Sequence, residues 1–219
     1  MSLVGGVARR IAGALPSRRV LLRGRGAPDT AVAITFDDGP HREHTPLILD
    51  ALDQAGAKAT FFLQGNQVAA LPELVREIHR RGHQLGNHAY THASVRRIGS
   101  ILHVAEVHKT QRLLEDITGA QLARCYRPPF GDWSLLEFGW LTMRRYQFVF
   151  WSMDSDDSEV KDPDGLVAHV LGKRPSAGEI MLFHEDYAHT VAALPQVLAA
   201  LTGRGLTFAR VGDLQGPAK

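Results

Sequence analysis

The chain has 219 residues, 44% of them hydrophobic and 22% charged, a balance that fits one globular domain with a sizeable core and excludes a fibrous or disordered chain. Its 25 Lys and Arg against 23 Asp and Glu leave a formal charge of +2, too small a bias to point to nucleic acid. The single cysteine, Cys125, excludes an intramolecular disulfide framework and reads as a buried, inert thiol in an apolar, proline-bounded stretch.

Residues 1–28 read as a basic N-terminal extension in which Arg9, Arg10, Arg18, Arg19, Arg23 and Arg25 cluster. Such a segment is a solvated tail or, as the sharper reading, a peripheral contact with an anionic membrane surface. Arg9 and Arg10 interrupt the apolar residues between Leu3 and Leu15, so neither a signal-peptide core nor a membrane span is read there. A cytoplasmic location, at most peripheral to the inner membrane face, is the expectation.

One domain is expected over 29–213, with a C-terminal tail at 214–219. Short apolar runs predict strands over 32–36, 59–63, 84–87, 124–127, 147–151, 179–183 and 206–209. Helical spacing of apolar residues predicts helices over 45–55, 72–81, 104–117, 134–145, 163–171 and 191–201, the first two stopped by Gly56 and Gly82. The alternation means parallel strands joined by crossover helices, an α/β fold, and seven strands come close to a barrel. In such folds the loops after the strands converge on one face, and Asp37, Asp38, His88, His92, Arg127, Asp154, Asp157 and His184 all fall there.

Taken in order, Ile34-Thr35-Phe36-Asp37-Asp38-Gly39-Pro40 ends a strand with two carboxylates whose side chains should point to different sides. One carboxylate suits a metal and its neighbour a metal-bound water, although the same residues also make an ordinary turn. His88-Ala89-Tyr90-Thr91-His92 carries two imidazoles at a spacing that a compact loop turns toward one point. With 11 histidines in the chain, such a pair also arises by chance. Two His and one Asp with an open position is a set that hydrolytic zinc sites use, and Asp38 supplies the carboxylate. Tyr126-Arg127-Pro128-Pro129-Phe130-Gly131 can hold a backbone N–H at a set angle, or be a plain strand exit. Trp151 to Asp157 ends a strand with carboxylates, and Glu179 to His184 delivers a histidine where a general acid is wanted or where a capping histidine sits. His41, His44 and His189 are unassigned.

Together these five segments, with Lys58-Ala59-Thr60-Phe61-Phe62 between them, resemble the motifs of the polysaccharide deacetylase family over roughly residues 31 to 209. These are the NodB-homology enzymes of carbohydrate esterase family 4. The resemblance implies a distorted (β/α) barrel of about seven parallel strands. It implies that Asp38, His88 and His92 bind a divalent metal, Zn2+ first and Co2+, Ni2+ or Mn2+ as alternatives. It makes Asp37 the general base and His184 the general acid, with Arg127 orienting Asp37 and Asp157 tuning His184. The N–H of Phe130 would stabilise the oxyanion, Leu182 would line the acetyl pocket, and Pro129 and Tyr90 would contact substrate. The reaction would lower the pKa of a metal-bound water from ~16 toward ~7 and release acetate from an acetamido sugar in a polymer, oligomer or lipid-linked precursor.

Three positions depart from the family pattern: Ala89 replaces a hydroxyl that braces the loop, Ser158 replaces an aromatic wall of the substrate groove, and Glu185 replaces an Asp. The alternatives are a deformylase or deacetylase of a lipid-linked sugar and, from a different class, a carbohydrate-binding pseudoenzyme. Retention of Asp37, Asp38, His88, His92 and His184 opposes the latter, because burying such groups without use is costly.

Overall fold

The computed structural model describes residues 19–24 and 29–215. Arg9, Arg10, Arg18, Arg25, the apolar run from Leu3 to Leu15, and residues 216–219 lie outside the described residues, and with them most of the expected extension and tail.

The strands are β1 (Val20–Leu21), β2 (Ala31–Asp37), β3 (Thr60–Leu63), β4 (Gln84–Asn87), β5 (Cys125–Tyr126), β6 (Gln147–Val149), β7 (Met153–Asp154), β8 (Ile180–His184) and β9 (Thr207–Phe208). Their order is β1-β6-β5-β4-β3-β2-β8-β7, with β9 also on β2, and every pairing is parallel. β6, the neighbour of the end strand β1, is joined to the other end strand β7 by residues 150–152 alone, which span at most about 14 Å. Within them, the Phe150 N–H donates to the Leu21 carbonyl of β1 (2.8 Å) and the Ser152 N–H to the Ile180 carbonyl of β8 (3.0 Å), so one stretch bonds strands from both ends of the order. The sheet therefore curls into a distorted barrel. β1 and β7 are additions to the seven strands that patterning predicts. β1 is two residues inside an arginine-rich stretch, and β7 is what remains of the predicted 147–151 strand's continuation after the chain crosses between edges.

The helices are α1 (His44–Gln54), α2 (Gly65–Ala70), α3 (Pro72–Arg80), α4 (Val95–Ile98), α5 (Ser100–Thr118), α6 (Leu135–Met143), α7 (Pro163–Gly172) and α8 (Ala188–Gly203), with 3-10 turns at Pro129–Gly131 and Val211–Leu214. All six predicted helices form. α5 begins earlier than position 104 and ends at Gly119, whose left-handed φ of 66° closes the helix. The start of α6 is set by a capping box between Ser134 and Glu137. α2 and α4, with six and four residues, are too short to carry a helical period. Leu214, assigned by patterning to the tail, is buried.

Strand alternation divides the core in two. Ile34, Phe36, Phe61, Leu63, Met181 and Phe183 face outward and pack on α1, α3 and α8 through Ile48, Leu52, Val75, Ile78, Leu194 and Leu198. Ala31, Ala33, Phe62, Ile180 and Leu182 face the barrel interior with Tyr126, Phe148 and Phe150. By the same period Thr35, Asp37 and His184 belong to the interior face, at its carboxyl end. β2 is buried along all seven residues, as a central parallel strand covered on both faces must be.

Candidate active site at the carboxyl ends of the strands

Asp37 and His184 are direct register partners on β2 and β8, which places a carboxylate beside an imidazole by sheet geometry alone. Asp38 follows with φ of 74°, a conformation costly for a residue with a Cβ. This breaks the alternation expected for the pair. Instead of pointing to different sides, both carboxylates approach one nitrogen: Asp37 Oδ2 lies 3.7 Å and Asp38 Oδ1 3.6 Å from His88 Nε2. His92 Nε2 is 3.3 Å from the same Asp38 oxygen.

The ligand atoms of Asp38, His88 and His92 all lie within 4.8 Å of one another. His88 Nδ1 is 2.7 Å from the Arg127 carbonyl, which can only accept, so the proton sits on Nδ1 and Nε2 offers its lone pair to the cluster. Burial works against the Asp38 carboxylate, but His88, His92, His184 and the Gln64 amide outweigh it and hold its pKa below the ordinary value. Burial, with His88 alongside, lowers that of His92 and favours the neutral, ligating imidazole. His92 also takes φ of 57° and Ala89 φ of 60°, so the loop is held in a conformation that surrounding bonds must enforce. In those bonds the Ala89 N–H donates to Asn87 Oδ1 (3.0 Å), and the Thr110 hydroxyl and the Gly65 N–H donate to the Ala89 carbonyl (2.9 Å each). The hydroxyl missing at Ala89 is thus bypassed by Asn87 and Thr110.

Arg127 is fully buried in the barrel interior. Its guanidinium donates to Asp37 Oδ1 (2.6 Å), Thr35 Oγ1 (2.8 Å) and the Phe150 carbonyl (3.2 Å), and lies 4.0 Å over the Phe62 ring. A charge at this depth persists only when paired and hydrogen-bonded, and removing one partner strands the other. Arg127→Met is expected to cost about 3–5 kcal/mol of stability, read from urea midpoints at neutral pH.

On the other flank, Asp157 accepts from His184 Nδ1 (2.7 Å), the His184 N–H (2.8 Å) and Thr190 Oγ1 (2.9 Å). Burial alone would lower the His184 pKa, but the hydrogen bond to Asp157 and its charge, helped by Asp37 and Asp38, raise it to about 9. His184 is therefore a protonated imidazole at neutral pH, ready to give up a proton.

The remaining expected contacts separate. Phe130 is exposed, its ring 4.5 Å from His92, and its backbone has φ of 60°. Its N–H makes no hydrogen bond among the described residues, while the next two amides donate to Pro128 and Pro129. Pro129 is buried beneath it, and Leu182 is buried on the same face of β8 as His184. Tyr90 is not brought to this group: its ring lies under the Lys109 ammonium (3.4 Å to the centroid) and against Gly65, on the α2 and α5 side of the loop. Ser158 is exposed.

Two residues that sequence reasoning missed support the site. Gln64, immediately after β3, donates to Asp38 Oδ1 at 2.7 Å. Its place at a strand's carboxyl end was the available signal. Glu185 is fully buried, accepts from the Thr45 hydroxyl, and its carboxylate occupies the space that a Cβ on Gly39 would need, so it packs directly under the turn after Asp38. Burial pushes its carboxyl up to about 8, with Thr45 opposing and Asp186 adding. The unfolded chain loses this proton near 4.5 and the folded protein near 8, so the folded state holds the extra proton between them. This group's contribution therefore makes stability fall as pH rises across that window. Glu185→Gln is expected to flatten the decline, measured as urea midpoints at about pH 5 and about pH 8.

Residues 24–136 match the model of the family described as polysaccharide deacetylase. The chain is 33% identical over 180 residues to a peptidoglycan-N-acetylglucosamine deacetylase of Bacillus cereus, covering 81% of this chain and 65% of that one. To a second protein of the same description and species it is 34% identical over 188 residues, covering 84% and 87%. A crystal structure of a peptidoglycan N-acetylglucosamine deacetylase in complex with 4-naphthalen-1-yl-N-oxidanyl-benzamide superposes with a TM-score of 0.84 at 31% identity, over 91% of this chain and 94% of that one. The chain belongs to the polysaccharide deacetylase family. It spans just under two thirds of the first relative's length and most of the second's.

Proposed function

We propose that this chain is a metal-dependent hydrolase that removes the N-acetyl group from an acetamido sugar in a polysaccharide, releasing acetate. The observation that carries the reading is the meeting of Asp38, His88 and His92 within 4.8 Å, flanked by the Asp37–Arg127 pair and the His184–Asp157 pair. Relatives described as peptidoglycan-N-acetylglucosamine deacetylases support N-acetylglucosamine of a cell-wall glycan as the substrate class.

Two imidazole nitrogens and one carboxylate oxygen, with the His88 tautomer set by the Arg127 carbonyl, fit a divalent ion, zinc first. When bound there, the ion would supply Lewis acidity toward the acetamide oxygen and toward a water. Asp37 has one oxygen tied to Arg127 and the other facing the same point, so it accepts the water's proton at Oδ2. The Phe130 N–H, unpaired among the described residues, would stabilise the developing oxyanion, and Leu182 would line the acetyl pocket. His184, with Nδ1 engaged by Asp157, donates from Nε2 to the departing amine, which leaves poorly unless protonated. A binding-only role is not favoured, because Asp37, Asp38, His88, His92 and His184 are all present, with Asp37 paired to Arg127 and His184 to Asp157.

The test is acetate release from N-acetylglucosamine oligomers, peptidoglycan fragments and a lipid-linked acetamido sugar, using chelated protein and protein reloaded with Zn2+ or Co2+. Activity lost on chelation and restored by metal is the expected result, and the preferred substrate separates the polymer from the lipid-linked branch. Bound metal with no acetate from any of the three would overturn the reading.

A further inference from the structure

A groove of about 890 Å³ runs along α5 behind the loop that carries His88 and His92, with Tyr90 forming part of its wall. A concavity of this volume is in the range that holds small-molecule and oligomeric ligands. Its lining includes Lys109, Arg112, Arg124 and Arg144 against only Glu115 and Asp116. One oxygen of Glu115, Oε1, accepts from Gln111 Nε2 (2.9 Å) and the Leu122 N–H (3.4 Å). Among the described residues, none of the four cations forms an ion pair with a carboxylate. Elsewhere the chain does pair arginines in this way, at Arg80, Arg81, Arg96 and Arg210.

The four charges line one groove, and two of them have contacts within it. Arg124 donates to the Arg144 carbonyl (2.9 Å) and lies 5.5 Å over the Tyr146 ring, while Lys109 sits on Tyr90. His108 lines the same groove, 3.4 Å from the Tyr146 hydroxyl. Its pKa is lowered, first by burial and then by the charges of Arg144, Arg124 and Arg112. Four cations against two carboxylates leave a net positive groove, and an oxyanion entering it relieves their repulsion while meeting arginine and lysine donors.

We propose that this groove is a second binding site, distinct from the metal-ligand cluster, for an oxyanion-bearing chain whose carboxylate or phosphate groups pair with Lys109, Arg112, Arg124 and Arg144. Arginine forks accept both kinds of oxyanion, and the source of the charge is an acidic sugar of the glycan or a separate phosphate polymer. The site does not depend on the hydrolytic reading.

The experiment measures binding by calorimetry to chelator-treated full-length protein, so that no metal recruits the anion. The probes are tetragalacturonate, linear polyphosphate and neutral chitotetraose. They are titrated into wild type, the combined Lys109→Gln, Arg112→Gln and Arg144→Gln variant, and a charge-matched control with Arg76→Gln, Arg97→Gln and Arg174→Gln. Expected is binding of an anionic probe roughly tenfold or more tighter than of chitotetraose, weakening as salt rises from about 0.05 to about 0.5 M. The groove variant should lose roughly tenfold while the control keeps wild-type affinity. Tetragalacturonate as the tighter probe assigns an acidic sugar, and polyphosphate assigns a phosphate chain. Equal affinity in wild type and groove variant, equal loss in the control, or chitotetraose binding as tightly as both anions overturns the proposal.

Discussion

Asp37→Asn is expected to lower acetate release by about 100- to 10,000-fold, the range that positioned acid or base help contributes. Asparagine keeps the shape of the side chain and can still accept from Arg127, but it cannot take a proton at the oxygen that now faces His88 Nε2. Metal content, measured on the same preparation, should stay at the wild-type level, because the proposed ligands are Asp38, His88 and His92. The change also leaves the buried Arg127 charge without its carboxylate, so a stability cost is expected even though Thr35 and the Phe150 carbonyl continue to receive the guanidinium, and urea midpoints on the same preparation separate that cost from the loss of rate. Acetate release near the wild-type rate in the metal-loaded variant would remove Asp37 from the role of base.

A loss of similar size is expected at Asp157→Asn, with a different signature. The proton on His184 is held up to about 9 against burial chiefly through Asp157. Without that charge burial is unopposed by its main partner, and the imidazole returns toward or below its ordinary 6.5. The alkaline limb of the rate profile should therefore move down in pH, and activity at neutral pH should fall because the acid form is depleted. A bound dication offsets the pull of Asp37 and Asp38, so in the loaded wild type the limb lies below the metal-free value of about 9. The stability link has the same sense as that of Glu185, over a window that lies higher in pH. His184 is raised in the folded state, so its contribution is fully present below about 6.5 and is lost as pH climbs through about 9. Asparagine also offers one acceptor oxygen where Asp157 receives three donors, which leaves donors unpaired. An unchanged alkaline limb in Asp157→Asn would show that another group donates the proton.

Much of the barrel could be read along the chain because its signals are local. Each predicted helix has an apolar stripe or a stop, and each predicted strand an apolar run, so all thirteen of those elements form with shifted ends. The positions that failed were short or shared between partners. β1 is two residues long and stands only because Val20 and Leu21 pair with Phe148 and Val149, far away in sequence. Tyr90 lies between His88 and His92 in the chain, and its ring lies under the Lys109 ammonium, a contact that spacing along the chain does not show.

By itself the sequence determined which groups are available and in what order: a strand ending in Asp37 and Asp38, paired imidazoles at His88 and His92, Arg127 before two prolines, and His184 ending an apolar run. Periodicity of two then put Asp37 and His184 on the interior face. Only the tertiary structure decided how they act. Convergence of both carboxylates on His88 depends on the left-handed backbone at Asp38, which no glycine marks in the sequence. The burial of Arg127, the support from Gln64 and the proton held by Glu185 arise from neighbours 26 to 140 positions away. Burial and long-range charge, which set those protonation states, do not exist until the barrel closes around them.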